Sequence, residues 1–153
     1  MPDSYLRLRF DDDGDETGKL LARAEAEGFA GEGGAYFNVS EVEDFAKAIG
    51  MFPLPSQDRR LSISGGFGSN EHGQLEQEHL GITVYPADAR RGYIGIQVRM
   101  ATEVWKETRP ESKKMAIVEV VTTYEPISKF SKDLIALLHG KIKEALLHGQ
   151  SIV

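Results

Sequence analysis

The sequence predicts an α+β domain: one antiparallel twisted sheet of about five to seven strands, with two helices packed on one face. Three observations predict it. Leu80–Val84, Ile94–Val104 and Ala116–Tyr124 alternate apolar and polar residues, the period of half-buried strands. Val42, Phe45, Ala46 and Ile49 recur at helical spacing, as do Phe130, Leu134, Leu137, Leu138, Ile142 and Leu146. Turns rich in Gly, Pro and Asp separate these segments, and no linker or internal repeat divides the 153 residues, so residues 1–153 read as a single domain.

The elements follow in chain order. Leu6, Leu8 and Phe10 alternate with Arg7 and Arg9, a strand with one apolar face. Asp11–Gly18 is a polar turn. Over residues 19–27 two rules conflict: Ala, Leu, Arg and Glu are strong helix formers, yet the apolar period is two. Gly28, Gly31, Gly33 and Gly34 would break a helix and suit a bent strand or a hairpin, so a strand continuing towards Phe37 is favoured. Asn38–Gly50 reads as a helix. Asn38 with Glu41, or Ser40 with Glu43, makes a capping box, and Gly50 supplies the stop. Leu61 and Ile63 suggest a short strand ended by Gly65, Gly66 and Gly68. The three alternating strands come next, joined by turns at Pro86–Gly92 and Lys106–Ser112. A helix over Ile127–Leu147 closes the chain, weakened at Gly140 by about 1 kcal/mol relative to Ala. The expected order is β-β-α-β-β-β-β-α.

Strand parity then fixes the faces. Centring the turns pairs Ile82 with Ile96, Leu80 with Val98, Val98 with Val120, and Met100 with Val118. The opposite face acquires a row in which His79 lies beside Arg99 and Arg99 beside Glu119. Glu103 and Trp105 follow along the middle strand. His79, Arg99, Glu103, Trp105 and Glu119 are therefore the candidate partner-binding residues, since Arg and Trp are enriched where interfaces gain their energy. A solvated face with ordinary charge pairs is the plainer reading of the same residues. Met115, Ile117 and Val121 put apolar surface on that side, which calls for a covering element, a partner or a homodimer.

Chemistry is sparse. The absence of cysteine excludes disulfides, thiolate metal sites and thiol nucleophiles. A net charge of −6 disfavours nonspecific binding to nucleic acid or anionic membrane and is compatible with a basic protein partner. Without a signal-like N-terminus or an apolar run of about 20 residues, the expected location is the cytoplasm. The aspartates between Asp11 and Asp15 do not meet calcium-loop spacing, because the glycine, Gly14, falls at position four instead of six and Ala22 stands at position twelve where Glu is needed. Gly65–Ser69 lacks the Gly-Lys-Ser/Thr ending of a phosphate loop and reads as a flexible turn. His72, His79, His139 and His148 form no metal motif. Glu76 and Glu78 share a strand face without a sugar cleft around them, and Ser128 and Ser131 have no nucleophile elbow, helix capping being role enough. No catalytic residue, metal or cofactor is expected.

Phe29–Phe37, with its Gly-Glu-Gly-Gly core, runs into the Val39–Ile49 helix. The Leu80–Val104 hairpin follows, and a last strand leads into Tyr124–Phe130 and a C-terminal helix. This order resembles the small bacterial proteins grouped with the WapI-type immunity proteins. The resemblance implies a non-enzymatic α+β protein that binds a cognate toxin and blocks it. Two other readings stay open. One is a small-molecule-binding or enzymatic domain with a pocket between sheet and helices, offering Thr102, Thr122 and Tyr124. The other is a self-associating structural module.

Overall fold

The computed structural model describes residues 4–51, 60–68, 75–88, 90–105 and 107–150. The order is β1 (Tyr5–Asp12), β2 (Thr17–Ala26), β3 (Phe29–Asn38), α1 (Val39–Ile49), β4 (Leu61–Phe67), β5 (Gln77–Asp88), β6 (Tyr93–Ala101), β7 (Met115–Thr122), α2 (Tyr124–Leu138) and β8 (Ala145–His148). The protein is α+β and antiparallel, but the single sheet is replaced by two four-stranded sheets, β3-β2-β1-β8 and β4-β5-β6-β7.

This strand order contains a repeat that the residues conceal. Each half of the chain is a three-stranded meander, a helix and one more strand: β1-β2-β3-α1-β4, then β5-β6-β7-α2-β8. The final strand of each half completes the other half's sheet. β8 pairs antiparallel with β1, and β4 pairs antiparallel with β5. The halves are thus tied by reciprocal strand exchange.

The inner faces share one core. Leu6, Leu8, Leu20 and Phe37 of the first sheet meet Leu80, Ile82, Ile96, Val98 and Val120 of the second, with Ile49, Phe130 and Leu134 from the helices. β3 touches all four strands of the opposing sheet, so it crosses them. The glycine-rich segment makes this approach possible. A Cβ on Gly31 would stand 2.6 Å from Ala116 Cβ, and one on Gly33 2.9 Å from Met100 Cβ. The glycines read from sequence as breakers are therefore sheet-to-sheet contact points.

Residues 19–26 are strand, within a hairpin whose turn places Glu27 and Gly28 at positive φ. Burial of Leu20, Ala22 and Ala24 on one face overrides their helix propensity. α1 begins as expected: the Asn38 N–H donates to Glu41 Oε1 at 3.2 Å. Both helices touch the first sheet, and α1 reaches the second as well. They pack on each other, α1 also against β3 and β4, α2 also against β1 and β8. Ser131, expected near a helix start, is buried mid-helix and donates to the Ala46 carbonyl at 2.6 Å. Gly50 lies beneath it, where a Cβ would come within 2.4 Å of Ser131 Oγ.

The C-terminal helix is shorter than its apolar stripe suggests. It stops at Leu138, and Gly140 takes a φ of +74°. Ala145 and Leu147 then alternate inward as β8, while Ile142 and Leu146 are exposed. The spacing that imitated helix is strand alternation continued from a helix end. Gly65 and Gly66 likewise belong to β4 rather than to a flexible turn. No helix among the described residues is long and apolar enough to cross a membrane.

Candidate functional site

The outer face of the second sheet is built from β4 to β7. Its register differs from the centred one by two residues. Ile82 pairs with Val98 and Leu80 with Met100; Val98 pairs with Val118 and Met100 with Ala116. The cause is at the turn: β5 runs on to Asp88, a bulge falls between Pro86 and Asp88, and Gly92 turns at φ +74°. A shift of two keeps parity, so the inner rows stay apolar. It also dissolves the expected His79–Arg99–Glu119 row. Arg99 stands opposite Gly81 on one side and Ile117 on the other, and Glu119 stands opposite Gln97.

Arg99 lies down on the sheet. A Cβ at Gly81 would sit 2.4 Å from both Arg99 Nη2 and Glu78 Oε2, so glycine is what leaves room for the ion pair. The guanidinium donates through Nε to Glu78 Oε1 at 2.8 Å and through Nη2 to Glu78 Oε2 at 3.2 Å. Its Nη1 donates to Thr83 Oγ1 at 2.8 Å and Gln97 Oε1 at 3.0 Å. Ser64 Oγ donates to the same carboxylate. Burial by itself would raise the Glu78 pKa, but the bonds from Arg99 and Ser64 and the Arg99 charge outweigh it and hold the carboxyl below its ordinary value.

Tyr85 repeats the device. A Cβ at Gly95 would fall 2.5 Å from the Tyr85 ring, so the ring rests on the glycine. Its hydroxyl donates to Glu119 Oε2, and the Arg60 guanidinium stands 4.5 Å from the ring centroid. Burial, and then the Glu119 carboxylate, push the phenol pKa well above its ordinary value. The result is a flat polar lattice. Beside it on β7, Ile117 is 57% and Met115 65% exposed, while Val121 is buried. Nothing among the described residues covers Met115 and Ile117.

The five expected contact residues are thus divided. Arg99 and Glu119 belong to the lattice, through Glu78 and Tyr85 rather than through each other. Trp105 is exposed at the end of the sheet, its ring edge-on to Phe67 at 5.6 Å between centroids. Glu103 is exposed on the segment after β6. His79 leaves the face altogether. The register shifts between Gly65 and Gly66, Leu80 and Glu78 pair on either side of His79, and this bulge residue is buried to 5% exposure. Glu76 and Glu78, read as a pair, do not act as one, since Glu78 is taken by Arg99 and Ser64. Thr102, Thr122 and Tyr124 do not converge: Thr122 is buried, Thr102 bonds the Lys114 backbone, and Tyr124 opens α2.

Gln77, Thr83, Tyr85 and Ser64 were not legible as site residues, and Glu78 only as a possible partner of Glu76. Gly81 and Gly95 were the available signal, since a glycine inside a β-branched strand marks a close approach. Among the described residues, no cluster of three or more His, Asp or Glu side chains could hold a metal ion. No family model, curated protein or solved structure matches the chain.

Proposed function

We propose that this chain is a non-enzymatic protein-binding domain that docks its partner on the outer face of the second sheet. One observation carries the reading. Arg99 and Tyr85 are held flat on Gly81 and Gly95 with their hydrogen bonds already made, beside exposed Ile117 and Met115. Side chains fixed before binding lose little rotamer freedom on docking, and exposed apolar groups beside them supply burial. The acidic balance of −6 suits a basic partner, and the resemblance to WapI-type immunity proteins points to a cognate toxin.

The test is calorimetric titration against purified products of the adjoining reading frames. Ile117→Asp is expected to abolish binding, whereas Arg9→Asp, on the first sheet's outer face, leaves it within about threefold. Ile117→Asp binding as tightly as the unmodified chain would overturn the docking face. Light scattering of the isolated chain decides whether a second copy of itself is the partner.

A further inference from the structure

The bulge that removes His79 from the outer face delivers it to a cleft of about 370 Å³, lined among others by Gln77, Ala101, Val104 and the charged Glu76, Glu78 and Lys113. This volume lies within the range of small-molecule sites. One wall is rigid. Gln77 Nε2 donates to the Val104 carbonyl at 2.7 Å, and the Val104 N–H donates to Gln77 Oε1 at 3.1 Å. These two bonds fix which end of the amide is oxygen. They therefore fix the histidine as well. Gln77 Oε1 can only accept, so His79 Nε2, at 3.0 Å from it, carries the proton.

In the neutral ring Nδ1 is then an acceptor. Among the described residues no buried side-chain polar atom lacks a hydrogen-bond partner, and the His79 ring bonds Gln77 through Nε2. Nδ1 accordingly keeps access to open space, although the residue is 95% removed from solvent. The space this ring lines is the cleft. A nearly buried ring with an oriented acceptor, set in a cleft whose exposed surface is mostly apolar with charged groups among its lining, is a recognition element for a single donor.

We propose that this cleft binds a small, largely apolar molecule bearing one hydroxyl or N–H donor, with that donor on His79 Nδ1. The site adjoins the docking face, sharing Glu78 with it, but its test does not depend on that reading.

Phenol and toluene are the paired probes, similar in shape and differing in the donor. At about pH 8, where an ordinary histidine is neutral, long-range proton–nitrogen NMR reads the ring directly. The free protein is expected to show the Nε2–H tautomer. Phenol is expected to shift the Nδ1 resonance together with the Ala101, Val104 and Thr108 amides. Toluene is expected to bind at least about tenfold more weakly. His79→Phe keeps the ring volume and should bind both probes alike. If that variant fails to fold, the Nδ1 shift in the unmodified protein decides alone. An Nδ1–H tautomer, a phenol titration that leaves Nδ1 unmoved, or toluene binding as tightly as phenol would overturn the proposal.

Discussion

The two halves share a topology and use their outer faces differently. On the first sheet the charged side chains make longer or single-point pairs. Arg7 and Arg9 share the Glu144 carboxylate at 4.0 and 3.6 Å, with Arg9 56% and Glu144 43% exposed. Arg23, 32% exposed, is better held, by the Tyr5 hydroxyl at 2.7 Å and Glu32 at 3.1 Å, but through single contacts to two different groups. On the second sheet Glu78 and Arg99, 32% and 26% exposed, are bonded fork to fork. The difference lies beneath the side chains. Gly81 and Gly95 give Arg99 and Tyr85 room to lie against the backbone, whereas the residue opposite Arg7 is Arg23. One architecture thus makes a solvated face or a prefabricated one according to where it places glycine.

The exchanged strands are where the two halves cannot be separated, and the largest effects belong there. Leu147→Ala on β8 and Ile63→Ala on β4 each remove a buried side chain from the sheet of the other half, and each should cost about 2–5 kcal/mol. Urea melts should stay single transitions in both variants. A half that melts by itself would break the account of reciprocal exchange.

The next contrast is between the faces. Gly81→Val should cost about 1–3 kcal/mol, because its side chain displaces the Glu78–Arg99 pair. The same substitution should cost less in an Arg99→Ala background. Arg99→Ala alone should cost about 1–3 kcal/mol by leaving a half-buried carboxylate short of donors, against about 0–1 kcal/mol for Arg9→Ala. Equal costs for the two arginines, measured by urea denaturation, would erase the distinction between the faces.

Much of this architecture was legible. Alternation located the strands and their inward residues, because a two-residue register error leaves parity intact. The helix start at Asn38 was legible for a local reason, the reach of Glu41 back to the backbone. What failed was non-local. Nothing near Ala145–His148 announces that this segment completes a sheet begun at Tyr5, and apolar spacing through Ile142 and Leu146 imitates a longer helix. The site suffered more than the fold. A row of cross-strand neighbours depends on exact register, and one bulge at His79 turned a surface residue into a buried one.

Acid provides a smaller test of the prefabricated face. Glu78 is depressed in the folded protein, so its contribution is present above the unfolded carboxyl pKa of about 4.3 and is lost as pH falls through the lower folded value. The stability gap between the unmodified chain and Glu78→Gln should therefore narrow on acidification below about pH 4.3. A gap that stayed constant into acid would remove the ion pair as its source. Alkali is the mirror case. The Tyr85 phenol is raised, so its contribution is full below about pH 10 and is lost only above it, and Tyr85→Phe should lack that alkaline loss.

Hydrogen exchange of the chain with and without its partner, read by mass spectrometry, tests the docking claim most directly. Slowing is expected over β6 and β7, at Gln97–Arg99 and Ile117–Glu119, with Arg7–Arg9 and Leu21–Arg23 unchanged on the first sheet. Protection over Arg7–Arg9 and Leu21–Arg23 with β7 unaffected would place the partner on the solvated face and contradict the account.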